Sequence, residues 1–207
     1  MDVIMEFATP IGMFYTSDET LTTDIYSKIL ALLENKNEDV FEYDHWSKTT
    51  TDDLNTKEQL LPLVDYIEKH TKNFSEEVLG IDKNNLRLSS MWANAHNSGS
   101  KHHFHEHPNA FVSGVYYPYI HECKDPGNIV FLDPRHAKNN VHADFTKSSC
   151  ISNRNIWVTP ESGLLLLFPS WLQHGTDPFL TDNKENKRVA ISFNYQLTTC
   201  SEKTMRI

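Results

Sequence analysis

Beyond residue 85 the chain breaks into short runs of β-branched, aromatic and aliphatic residues, with Gly, Pro, Asn and Asp between them. They read LRLSSMWANA (86–95), AFVSGVYYPYI (110–120), NIVFLDP (128–134), GLLLLFP (163–169) and RVAISFNYQL (188–197). Runs this short, bounded by turn formers, predict strands. Upstream the period changes. Leu21, Ile25, Ile29, Leu32 and Leu33 recur at three-to-four spacing over 19–36. Leu60, Leu61, Leu63, Val64, Ile67 and Phe74 do the same over 56–79. Both segments predict amphipathic helices packed on a core. Helices first and strands later imply an α+β protein whose second half is an antiparallel sandwich or barrel.

The 207 residues fit one domain, with 1–85 mainly helical support and 86–207 the β core. No stretch is long and apolar enough to span a membrane, and the acidic start of MDVIMEFATPIGMFYTSDE does not read as a signal peptide. Cys123, Cys150 and Cys200 are odd in number and widely spaced, so a reducing cytoplasm is the simplest setting. The formal net charge of −9, without a basic run, disfavours nucleic acid as a partner. The oligomeric state is left open, a homodimer included. The polar, irregular segment 135–160, with Arg135, His136 and Trp157, is a candidate for substrate contacts or a plain surface excursion.

The chemistry concentrates in KHHFHEHPNA, residues 101–110. A histidine-rich loop alone is not a metal site. In extended backbone, however, His105 and His107 fall on one face and Glu106 on the other. Two imidazoles so placed can take adjacent positions on one ion, leaving His102 and His103 as bystanders. A third ligand has to come from elsewhere, and His174 in LFPSWLQHGTDP follows an apolar run. Arg188 opens the next run. Its guanidinium suits a carboxylate clamp, although alone it also fits a strand-edge surface position.

Taken together, WAN, HxHPNA, SGVYY, FLDPR, GLLLLFPSWLxH and RVAISFN, in this order over roughly 86–197, resemble the 2-oxoglutarate/Fe(II)-dependent oxygenases. The match is to a subgroup from bacteria and tailed phages near the prolyl-hydroxylase branch. The resemblance implies a double-stranded β-helix, a jelly roll of cupin type, with Fe(II) at its mouth. It implies His105, His107 and His174 as iron ligands. Arg188 would hold the distal carboxylate of 2-oxoglutarate, assisted by Ser192, with Tyr116, Tyr117 and Asn194 as further contacts. The implied reaction uses O2 to hydroxylate a peptide or amino-acid side chain or a small metabolite, with no side chain acting as general base.

One departure bears on the chemistry. Most of this superfamily binds iron through two histidines and a carboxylate, as HxD or HxE. Here the motif is HxH. Carboxylate alternatives are His142 with Asp144, or Asp133. A true three-histidine set admits another reading, a cupin-type dioxygenase without 2-oxoglutarate. A jelly-roll metal-binding protein without catalysis is the third.

Overall fold

The computed structural model describes residues 7–35, 41–43, 47–140, 143–147, 149 and 151–198. Its first helix, α1 (Ile25–Glu34), continues a wider helical turn at Thr20–Asp24 and buries Ile25, Ile29, Leu32 and Leu33. The second, α2 (Leu61–Glu77), carries Pro62 in its first turn, where a missing N–H costs nothing. It buries Leu63, Ile67, Thr71 and Phe74 along one stripe, while Leu61 stays exposed.

All five predicted runs form strands. They are β4 (Leu86–His96), β5 (Val112–Tyr117), β6 (Ile129–Leu132), β8 (Leu164–Pro169) and β10 (Arg188–Leu197). Five shorter strands join them: β1 (Gly12–Tyr15), β2 (Phe41–Tyr43), β3 (Ser47–Thr49), β7 (Asn155–Val158) and β9 (His174–Thr176). The first 85 residues are therefore not only helical support, because β1, β2 and β3 extend both ends of the large sheet. That sheet runs β1-β8-β5-β10-β4-β3-β2, and a second runs β7-β6-β9. Every pairing within them is antiparallel.

The large sheet is covered on both faces, which explains why β8 is apolar at every position. Leu165, Leu167, Tyr116, Ile191 and Phe193 pack with α1 and α2. Leu164, Leu166, Phe168, Val115 and Tyr117 pack with Ile129 and Phe131 of the small sheet. Each fully buried leucine contributes about 1.5–3 kcal/mol relative to exposure. The architecture is thus helices on an antiparallel sheet, with a smaller sheet on the other side. Among the described residues the two sheets are not joined by strand pairing into the closed barrel that the resemblance implied. No helix among them is long and apolar enough to cross a membrane.

Candidate metal centre

His105 and His107 lie between β4 and β5, outside any regular strand. Main-chain bonds hold them extended all the same. His105 N–H donates to the His174 carbonyl at 2.9 Å, and His174 N–H returns a bond at 3.1 Å. His107 N–H donates to the Ser170 carbonyl at 3.0 Å. This borrowed pairing brings His105, His107 and His174 together, with one ring nitrogen of each within 4.8 Å of the others.

The tautomers favour metal binding. His105 Nδ1 lies 2.8 Å from the His103 carbonyl, and His174 Nδ1 lies 2.8 Å from the Leu172 carbonyl. A carbonyl only accepts, so each Nδ1 carries the proton and each Nε2 keeps a lone pair. His107 Nε2 and His174 Nε2 are 3.3 Å apart. Two nitrogens each about 2.0–2.1 Å from one ion would be separated by about 2.8–3.4 Å at right to tetrahedral angles. Burial pushes His107 down to about 4 and His174 down to about 3, neighbouring histidines adding to both. Both are therefore neutral donors at neutral pH. Phe168 and Trp92 wall the cluster, with ring centroids 4.6 Å from His174 and 5.9 Å from His107 respectively.

No carboxylate joins the three among the described residues. Glu106 is exposed. Asp133 is engaged elsewhere: Arg135 donates to both of its oxygens at 2.9 Å and Lys138 adds a further bond. These cations hold its carboxyl well below the usual range. Asp144 is exposed, and His142 lies outside the described residues.

Arg188 is 1% exposed and faces a cavity of about 60 Å³ that His105 and His174 also line. Its Nη1 donates to the carbonyls of Pro126 and Gly127 at 3.1 Å, and its Nη2 to Thr176 Oγ1 at 3.2 Å. Its Nε has no partner. No carboxylate lies within ion-pair distance among the described residues, and no acidic residue lines the cavity. Ser192 and Tyr117 line the same space.

Two expected contacts are placed elsewhere. Tyr116 points to the helix-covered face, where its hydroxyl donates to the Leu21 carbonyl at 2.7 Å. Neighbours on a strand face opposite ways, so only one of the Tyr116–Tyr117 pair can reach the cavity. Asn194 has the right parity, but Ser113 and Ser90 occupy its amide at 2.7 and 3.3 Å. In the 135–160 segment, Arg135 is tied to Asp133, while His136 and Trp157 are exposed. The cavity also contains His96 and Thr176, which the sequence reading passed over. A histidine ending a strand just before the turn NSG was the available signal.

The buried His96 and His174 and the half-buried His107 set an acid dependence. Burial and the Arg188 charge hold His96 well below its usual 6.5, in the same direction as His107 and His174. The unfolded chain therefore binds these protons more readily than the native one. The associated stability is present above about pH 6.5 and is lost as pH falls toward the lowered values. The metal-free protein is expected to lose up to about 1.4 kcal/mol per such histidine between about pH 7.5 and pH 5.5. Urea midpoints across that range check this, and an unchanged midpoint contradicts it.

Comparisons with known proteins bear on the family and the fold. Residues 90–194, a little over half of the chain, match the family described as "Putative 2OG-Fe(II) oxygenase". No curated protein matches the chain in sequence. Among solved structures, the non-heme alpha ketoglutarate dependent epimerase SnoN from nogalamycin biosynthesis superposes with a TM-score of 0.64 at 11% identity, covering 90% of this chain and 76% of that one. A Trichoplax adhaerens prolyl hydroxylase, in complex with a hypoxia inducible factor peptide, gives 0.63 at 13% identity, covering 90% and 83%. A Pseudomonas putida prolyl-4-hydroxylase gives 0.62 at 10% identity, covering 90% and 92%. At these identities the likeness is one of fold. With the family match over its β core and three imidazoles converging where that core positions them, the chain belongs to the 2OG-Fe(II) oxygenase family.

Proposed function

We propose that this protein is a non-haem iron oxygenase whose metal is held by His105, His107 and His174. The convergence of their three ring nitrogens carries the proposal. When bound, iron supplies the oxygen chemistry, and the protein supplies position, charge and exclusion of water. On donor set alone, the site fits a three-histidine dioxygenase without 2-oxoglutarate better than the two-histidine, one-carboxylate pattern.

Arg188 favours the 2-oxoglutarate form of the reading. Burying a guanidinium costs several kcal/mol after relaxation. Neutral carbonyls, together with the Asp125 and Asp177 charges beyond hydrogen-bond reach, offset part of that, and Nε stays unsatisfied. Three neutral imidazoles also leave a divalent ion its full charge. With no acid lining the cavity, a dianionic co-substrate would supply the missing charge at both ends. Ser192 and Tyr117 would flank it. In this form O2 would be divided, one oxygen atom entering the organic substrate as a hydroxyl and the other entering succinate as the 2-oxo acid loses carbon dioxide.

The two forms part on one experiment. Protein loaded with Fe(II) under nitrogen is exposed to air with and without 2-oxoglutarate, and oxygen uptake and succinate are measured. Succinate formation that falls at least about 10-fold in Arg188→Ala, as loss of a charged hydrogen-bond partner implies, supports the 2-oxoglutarate form. Oxygen uptake that ignores both 2-oxoglutarate and Arg188 supports the cupin-type form.

A further inference from the structure

Arg188 is not the only buried group in its cavity with an unused polar atom. His96, at the end of β4, pairs directly with Arg188 across the sheet. Cross-strand partners share a face, with Cβ atoms about 4.5–5.5 Å apart. His96 is 1% exposed and lines the same cavity. Its Nδ1 lies 2.8 Å from Ser100 Oγ, and its Nε2 has no partner. Thr176 completes the group. Its Oγ1 accepts from His102 N–H at 2.9 Å and from Arg188 Nη2 at 3.2 Å. Both lone pairs are then used, so the hydroxyl hydrogen remains to be donated.

We infer that His96 is a positioning residue that, with Arg188 and Thr176, forms a three-donor seat for one carboxylate of the co-substrate. The inference rests on the 2-oxoglutarate form of the proposed function. A neutral imidazole carries one ring proton, and Ser100 can either donate to or accept from Nδ1. A carboxylate at Nε2 selects the tautomer with hydrogen there, and the Ser100 hydroxyl turns to donate to Nδ1. Burial and the adjacent guanidinium keep the ring neutral, so it adds a donor without a second cation. Leaving the buried Nε2 and the Arg188 Nε unpaired is costly, and one anion in reach of both would satisfy them.

Two polar substitutions test this without emptying the core. In His96→Asn the amide overlays Nδ1, keeping the Ser100 contact and losing the Nε2 donor. In His96→Gln the amide reaches the Nε2 position. Binding to the Fe(II)-loaded protein is measured by calorimetry under nitrogen, with 2-oxoglutarate and with 2-oxobutanoate, which lacks the distal carboxylate. His96→Asn is expected to weaken 2-oxoglutarate about 10-fold or more, as loss of a hydrogen bond to a charged group does, with 2-oxobutanoate unchanged and His96→Gln close to the parent. Equal affinities for 2-oxoglutarate in parent and His96→Asn overturn the inference and leave the proposed function standing. Equal weakening of both ligands in both variants assigns His96 a structural role and also overturns it. A parent protein that does not bind 2-oxoglutarate removes the underlying reading, and the inference with it.

Discussion

A His174→Ala protein is expected to bind Fe(II) or zinc at least about 100-fold more weakly than its parent, because losing only an outer partner of a ligand already costs about 10–100-fold. His174 is the buried member of the three, while His105 is exposed. It is also the most firmly aimed. Its Nδ1 is committed to the Leu172 carbonyl, and its main chain exchanges two bonds with His105. Phe168 and Phe131 pack against its ring, with centroids 4.6 and 5.9 Å away. Little orientational entropy is therefore lost when a metal arrives. Two remaining histidines, one of them open to solvent, make an ordinary surface pair. His103 serves as the control, since it is exposed and outside the cluster. His103→Ala should bind metal as the parent does. Equilibrium dialysis of protein prepared under nitrogen, with metal analysis, reads both. Metal content that survives His174→Ala would show that the three histidines are not the site.

Much of this arrangement was legible because the chemistry sits on strongly patterned elements. The five β-rich runs became strands because each has a face, or two, to bury. The short strands β1, β2, β3, β7 and β9 did not announce themselves. Three or four residues carry too little alternation, and their existence depends on a neighbour's free edge. His105 and His107 are instructive. They share a direction as extended backbone implies, yet they are not in a strand of their own. The pairing comes from His174 and Ser170, far along the chain.

Facing was the harder problem. VSGVYY is buried at every position, so its pattern does not say which tyrosine meets the cavity. Register decides it: Ser192 opposes Val115, which puts Val115 and Tyr117 on the face of Arg188, Ala190 and Ser192. Asn194 continues that parity but meets Ser113 and Ser90 instead. The sequence marks His96 only as a strand-end histidine; that it stands opposite Arg188 follows from the pairing of β4 with β10. Residue type and spacing suggested His105 and His107, and the family resemblance added His174. The seat beside them depends on long-range pairing, which no local pattern encodes.

That seat depends in turn on a residue with no side chain, and Gly127→Ala is expected to be among the most damaging single-methyl changes in the protein. In the segment Asp125-Pro126-Gly127-Asn128, Gly127 stands at φ +71°, and its N–H donates to Asp125 Oδ1 at 2.8 Å. A left-handed backbone asks for glycine at that place. Alanine there costs about 1–2 kcal/mol in backbone energy alone. A Cβ would also strike Arg188 Nη1 and come within 2.6 Å of the Asp177 carbonyl and 3.0 Å of Phe179 N. Overpacking of this kind adds about 1–3 kcal/mol, so the total is about 2–5 kcal/mol. Gly80 separates the two contributions. Its φ is also positive, at +66°, but a Cβ there meets nothing within 4 Å. Gly80→Ala should therefore show the backbone cost by itself, and the difference between the two urea midpoints measures the clash. The guanidinium is the softer of the obstacles, so part of the strain is relieved by displacing it from the Pro126 and Gly127 carbonyls. On the proposed 2-oxoglutarate form of the function, Gly127→Ala should then weaken co-substrate binding even where the protein remains folded, whereas Gly80→Ala should not. If both variants lose the same stability and bind alike, Arg188 is not held by the Pro126–Gly127 segment, and its orientation has another source.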